Sequence, residues 1–273
     1  MSKHQAGHRA RKRFGQNFLH DKMVIGTIIR HIDPQKGQRL VEIGPGMGAL
    51  TEELLLATDG ELDVIELDKD LVPILRTKFF NYPRLTIHEG DALKFPFGTL
   101  LRNDGEKIRV VGNLPYNIST PLIFHLLRFS SLISDMYFML QKEVVERMAA
   151  GVGDSAYGRL GIMVQYYCRV TPLFMVPPGA FTPRPKVDSA VVRLIPHTEK
   201  PVRVKDEKVL ETVVRSAFTK RRKTVRNALS GFIDADAIES LGINPGLRPE
   251  NLSLTDFALV ADWLHAQSVP RNR

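Results

Sequence analysis

The sequence predicts an α/β protein, a three-layer Rossmann-like sandwich of about seven mainly parallel strands followed by a smaller all-α carboxy-terminal part. Three observations lead there. Short apolar runs alternate with helix-forming stretches from Arg39 to Ile195. A glycine turn, Gly44-Pro45-Gly46-Met47-Gly48, joins the first strand-helix pair. After Pro196 the composition shifts, through His197-Thr198-Glu199-Lys200-Pro201, to segments that carry helical periodicity alone. Residues 1–199 are therefore expected to form one domain and residues 200–273 a second.

Taken in order, Asp21 is a plausible helix cap, and Val24, Ile25, Ile28, Ile29 and Ile32 follow at helical spacing. Arg39 to Ile43 reads as a buried strand, and Ala49 to Ala57 is rich in helix formers. Leu62 to Leu67 and Leu85 to His88 are the next two strands. Ile108, Val110 and Val111 begin a fourth, which Pro115 ends. Thr120 to Phe129 reads as a helix, Met136 to Leu140 as a strand, and Glu143 to Ala150 and Tyr157 to Tyr166 as helices. Two further strands, Val170 to Val176 and Ala190 to Ile195, complete the set. Beyond them, Val214, Phe218, Val225 and Leu229 share one helical stripe, with Arg215, Arg222 and Arg226 on the adjacent face. Phe257, Val260, Ala261 and Leu264 mark a late amphipathic helix.

The candidate site residues stand at strand ends, where open α/β sheets bind ligands. The glycines follow G-x-G-x-G rather than the dinucleotide spacing, so a pyrophosphate is not the expected ligand. Glu66 closes the second strand, where a carboxylate can accept both ribose hydroxyls of an adenosine-containing cofactor. Asp91, after the third, could accept from that cofactor's adenine amine. The fourth strand ends in Asn113-Leu114-Pro115-Tyr116. An amide oxygen and a main-chain carbonyl, with Leu114 the natural candidate, can take both N–H bonds of a planar amino group. They thereby favour a tetrahedral nitrogen whose lone pair points at an electrophile. Tyr116 offers a face for a base that has left its helix. Few chemistries want that pair, and the best known is amino-group methylation.

The bulk properties narrow the partners. Thirty-eight basic against 30 acidic residues give +8, which favours a polyanion. Arg11, Lys12 and Arg13 lie in an amino-terminal stretch free of acids, read here as an arm on the phosphates of such a polyanion. Thr212 to Ile233 also lacks acids, while Arg215, Lys220, Arg221, Arg222, Lys223 and Arg226 crowd its centre, as a phosphate-contacting helix would. Cys168 is the only cysteine, so no internal disulfide is available and a reducing, cytoplasmic setting is expected. No long apolar run suggests a membrane span, no secretory signal is evident, and the histidines and the cysteine show no metal-ligand spacing. A monomer is the default.

These motifs together resemble the small-subunit ribosomal RNA adenine dimethyltransferases. The resemblance is carried by Phe14-Gly15-Gln16-Asn17-Phe18-Leu19, Glu42-Ile43-Gly44-Pro45-Gly46, Asn113-Leu114-Pro115-Tyr116, Ala180-Phe181-Thr182-Pro183 and Lys220-Arg221-Arg222-Lys223-Thr224. It implies a class I methyltransferase fold whose last strand is inserted antiparallel. The implied chemistry is S-adenosylmethionine-dependent dimethylation of two neighbouring adenosines near the 3′ end of that RNA, in a precursor small subunit. Implied cofactor contacts are Asn17, Leu19, Gly44, Glu66, Asp91 and Asn113. Phe181, in a proline-stiffened loop, is assigned a second ring that clamps the adenine against Tyr116. Similar families act on large-subunit RNA or on DNA amino groups; Leu114 counts against the DNA enzymes. A ribosome-assembly factor whose binding outweighs its methylation is the remaining alternative.

Overall fold

The computed structural model describes residues 16–101, 105–220 and 222–268. The chain forms β1 (Phe18–Leu19), α1 (Lys22–Ile32), β2 (Leu40–Ile43), α2 (Ala49–Ala57), β3 (Leu62–Glu66), α3 (Leu71–Lys78) and β4 (Leu85–Glu89). It continues through β5 (Ile108–Asn113), α4 (Ser119–Leu127), β6 (Ile133–Gln141), α5 (Lys142–Ala149), α6 (Arg159–Tyr167), β7 (Cys168–Val176), β8 (Phe181–Thr182) and β9 (Ser189–Pro196). Four helices follow: α7 (Glu207–Thr219), α8 (Val225–Ala228), α9 (Ala235–Ser240) and α10 (Leu254–Ser268).

Seven strands form one sheet in the order β4-β3-β2-β5-β6-β9-β7. The pairs from β4 through β6 are parallel, and β9 is antiparallel to β6, as the resemblance implied. β2 and β3 are buried along their whole lengths, as strands covered on both faces should be. The chain leaves β2 towards β3 and returns on the other side of β2 as β5. That reversal is the topological switch point of the sheet, and it opens a crevice at the carboxyl ends of these strands.

Local chemistry explains why the elements start where they do. The Asp21 carboxylate accepts from the backbone N–H of Met23 and Val24, and the face of α1 bearing Ile25, Ile28 and Ile32 is buried. A Cβ at residue 112 would sit 2.5 Å from the Ile43 carbonyl oxygen, so only glycine lets β5 lie this close to the end of β2.

A two-stranded ladder of β1 and β8 was not foreseen. Phe18 pairs with Thr182 and Leu19 with Phe181, while His20 N donates to the Ala180 carbonyl at 3.0 Å. Strands of two residues carry no periodicity to detect, and the partners lie far apart in sequence.

The chain divides into two compact units: residues up to 145 together with 170–196, and residues 146–169 together with those from 197. A single cut at 199 does not describe this, because the excursion containing α6 belongs with the later helices. Gln165 donates to the carbonyls of Met148 (2.8 Å) and Ala150 (2.9 Å), and Arg159 pairs with Glu211 at 3.0 Å. Within this unit α7 buries Leu210, Val213, Val214 and Ala217, and Phe218 meets Phe257 of α10 with ring centroids 6.0 Å apart.

The single helix expected through Arg226 is two. α7 stops at Thr219, Lys223 N bonds to the Lys220 carbonyl in a turn, and α8 begins after Thr224. Consecutive like charges at residues 220–223 oppose a continuous helix. Val225 N and Arg226 N turn instead to the carbonyls of Leu247 and Pro245, at 2.7 and 3.2 Å.

Candidate active site

A cavity of about 340 Å³ lies at the switch point of the first unit. Its wall gathers the ends of four consecutive parallel strands and the segment from Gln16 to Leu19. Asn17, Leu19, Gly44, Glu66, Asp91 and Asn113, the six expected cofactor contacts, all line it, as do Leu114 and Tyr116.

The glycine turn takes left-handed backbone at Gly44, Gly46 and Gly48 (φ 67, 58 and 76°), which side chains other than glycine's disfavour. Lys78 Nζ donates to the Gly48 carbonyl at 3.2 Å and pairs with Glu52 at 3.0 Å, tying the turn to α3. The Glu66 carboxylate is fixed at both oxygens, accepting from Gly46 N at 3.2 Å and from Asp68 N at 2.8 Å. Burial raises its pKa, and those backbone donors oppose the rise. Each oxygen keeps a lone-pair direction for a ligand hydroxyl. Asp91 accepts from Leu93 N through Oδ1, and this local turn holds the carboxylate at the cavity wall.

Asn113 has a determined orientation. Its Nδ2 donates to the Asn17 carbonyl at 2.9 Å, and because a carbonyl only accepts, the amide cannot be flipped. Oδ1 is therefore the end left for a ligand's N–H. Leu114 N donates to the Met139 carbonyl at 3.1 Å, which fixes the next peptide. Tyr116 turns its hydroxyl to Ser189 Oγ at 2.6 Å, and Ser189 is fully buried. Burial raises the Tyr116 pKa, the Ser189 hydrogen bond opposes the rise, and the phenol stays neutral. The hydroxyl thus finds its partner on β9, and the ring remains available to the cavity.

Phe181, which the resemblance makes the second ring of the clamp, sits in the core beside the cavity wall rather than on it. It does not line the cavity; only 3% of it is exposed, and it packs in a core cluster with Leu19, Ile25, Ile28, Val176 and Ala180. Its backbone pairs with Leu19 in the β1–β8 ladder.

Two residues of the site were missed by sequence reading. Ser189 gave no signal beyond its place before an apolar run. Glu42 lines the cavity, is 2% exposed, and accepts from Thr51 Oγ1 at 2.6 Å. Burial pushes its carboxyl up to about 8, with Glu66 reinforcing the rise and Thr51 and Lys78 opposing it. An acid in the middle of a buried strand was the available clue.

The implied donor, S-adenosylmethionine, fits this wall. Carboxylates at Glu66 and Asp91 line the cavity, the buried Glu42 adds a carboxyl that holds its proton, and among the described residues no lysine or arginine lines it. Such a field suits an adenosine-bearing sulfonium cation and would disfavour a phosphate. Among the described residues no group of His, Cys, Asp and Glu could hold a metal ion, and no helix is long and apolar enough to cross a membrane.

Of the basic residues, Arg215, Lys220, Arg222, Lys223 and Arg226 are all exposed, and none pairs with a carboxylate among the described residues. Arg11, Lys12, Arg13 and Arg221 lie outside the described residues.

Comparison with known proteins gives concordant results. A family model described as ribosomal RNA adenine dimethylase matches residues 7–266. Proteins named ribosomal RNA small subunit methyltransferase A are 62% identical over 94% of this chain and 92% of the relative in Marinobacter nauticus, and 59% identical over 97% and 98% in Pseudomonas aeruginosa. Among solved structures, a Plasmodium falciparum dimethyladenosine transferase superposes with a TM-score of 0.76 at 29% identity, covering 92% of this chain and 98% of its own. The 23S rRNA methyltransferase ErmE shares the fold, with a TM-score of 0.68 at 24% identity, over 91% of this chain and 100% of its own. With a family match over nearly the whole length and the amide, carboxylates and glycine turn in one cavity, the chain belongs to the ribosomal RNA adenine dimethylases.

Proposed function

We propose that this protein transfers methyl groups from S-adenosylmethionine to N6 of two adjacent adenosines, in a loop near the 3′ end of small-subunit rRNA, within a precursor small subunit. The observation that carries the reading is Asn113, whose Oδ1 is left for the cavity by the bond from Nδ2 to Asn17. The names of the relatives favour the small-subunit substrate. When bound, S-adenosylmethionine supplies an electrophilic methyl group. Glu66 accepts the ribose hydroxyls, Asp91 the adenine amine, and the glycine turn admits the ligand against the backbone.

Asn113 Oδ1 and the Leu114 carbonyl then accept the two N–H bonds of the target amine and direct its lone pair out of the ring plane. Tyr116 stacks on the extruded base. The amine becomes acidic only on alkylation, so its proton leaves to water or through the surroundings of Asn113 without a strong base. For the second transfer one N–H remains, so one acceptor does the aligning. Arg215, Lys220, Arg222, Lys223 and Arg226, with Arg11, Lys12, Arg13 and Arg221, hold RNA phosphates. We place the enzyme in the cytoplasm as a monomer.

The test supplies isotope-labelled S-adenosylmethionine with unmethylated small subunits, large subunits or duplex DNA, and maps labelled nucleosides by mass spectrometry. Dimethyladenosine at two adjacent small-subunit positions is expected. Label on large subunits or DNA would overturn the substrate. Binding to small subunits without label would favour an assembly factor.

A further inference from the structure

We propose that Gln16 is a positioning residue: it latches the Gln16–Leu19 strap so that donor capture and alignment of Asn113 become one event. The inference rests on the reading of the cavity as the methyl-donor site, and it concerns a contact that reading does not use. All four strap residues line the cavity. One end of the strap is held by Gln16 Nε2, which donates to Asp68 Oδ2 at 2.9 Å. Asp68 is 1% exposed, and its own N–H bonds to Glu66 Oε1 at 2.8 Å, while Glu66 Oε2 accepts from Gly46 N at 3.2 Å.

The next residue reaches the other half of the site. The Asn17 carbonyl accepts from Asn113 Nδ2, and it is this bond that fixes which end of the amide faces the target amine. Beyond it, Phe18 lies against the glycine turn: a Cβ at Gly46 would be 3.0 Å from its ring. Leu19 is then secured by pairing with Phe181, and His20 N by the Ala180 carbonyl.

A continuous set of bonds thus runs from the glycine turn through Glu66, Asp68 and Gln16 to Asn17 and Asn113. The carboxylate that would hold the donor's ribose and the amide that would hold the target amine share one strap. If the latch opens, Asn17 loses the register that orients Asn113, even with donor present. A coupling of this kind is a claim about non-additivity, so a double-mutant cycle tests it.

The test uses the full chain, labelled S-adenosylmethionine and unmethylated small subunits, with Gln16→Ala, Asn113→Ala and the double variant. Dissociation constants for the donor are read first, independently of methyl transfer. Gln16→Ala and Asn113→Ala should each weaken donor binding by about tenfold, the scale of one lost hydrogen bond. The double variant should be little worse than either alone, because the strap is already released. Multiplicative losses would overturn the coupling. Second, Gln16→Ala at saturating donor should lower the single-turnover rate by about fivefold while small-subunit affinity is unchanged. An unchanged saturated rate would reduce Gln16 to a donor contact. Gln16→Glu, which sets a carboxylate against Asp68, should match or exceed the alanine effect; wild-type behaviour would overturn the latch. Failure of the wild-type chain to bind donor at all would instead overturn the reading of the cavity.

Discussion

In the cavity, each polar side chain of consequence has a partner inside the protein: Asn113 has Asn17, Tyr116 has Ser189, Glu66 has Gly46 and Asp68, and Glu42 has Thr51. On the helical unit, Arg215, Lys220, Arg222, Lys223 and Arg226 are exposed and pair with no carboxylate among the described residues. The contrast teaches how the two regions divide the work. Groups that must meet a reacting nitrogen in one geometry are pre-oriented, and their loss is felt steeply. Groups that meet phosphates gain little from a fixed geometry, and their contributions are individually small, cumulative and sensitive to salt.

The comparison breaks first at Asn113. Asn113→Ala should lower single-turnover methyl transfer by about 10²–10³-fold, the scale of one lost transition-state acceptor, with small-subunit affinity within about twofold of wild type. Parallel losses in both would mean that Asn113 holds RNA. Ser189→Ala comes next. It removes the hydrogen-bond partner of the half-buried Tyr116 hydroxyl, and transfer should fall about tenfold. In a Tyr116→Phe background the same change should cost almost nothing; an equal loss there would show that Ser189 acts on the fold rather than on Tyr116.

Replacing Arg222 and Arg226 together should flatten the salt dependence of RNA binding by about 0.7 log-log units per lost single-strand contact. Retention of the full slope would return these residues to an ordinary solvated surface. The smallest effect concerns stability. The Glu42 carboxyl holds its proton to about pH 8 in the folded chain but to about 4.5 in the unfolded one. Between those values the unfolded state binds fewer protons, so stability falls as pH rises. Glu42→Gln lacks this contribution, and its melting temperature should decline less than that of wild type between pH 5 and pH 8. Equal declines would contradict the assignment.

Much of the cavity was legible because it is built from local patterns. Gly44, Glu66, Asp91 and Asn113 each close a strand, and the strands are separate apolar runs. Parallel neighbours then bring those ends to one edge, whatever the details of packing. What escaped notice depends on distant partners. The clamp role of Phe181 came from the resemblance and not from its own segment, and its 3% exposure is set by residues distant in sequence. Ser189 matters through Tyr116, and Gln16 through Asp68, neither of them close in sequence. The helix expected through Arg226 followed from periodicity. Backbone donors at Val225 and Arg226 that bond to Leu247 and Pro245 overrule it.

The most direct measurement is the salt dependence of two quantities on one preparation, small-subunit affinity and the single-turnover rate at saturating subunit and donor. A division of labour between a pre-oriented cavity and a loose basic surface predicts that affinity falls steeply with salt while the saturated rate stays flat. A saturated rate that falls as steeply as affinity would contradict it, and would mean that the basic residues help to align the reacting amine.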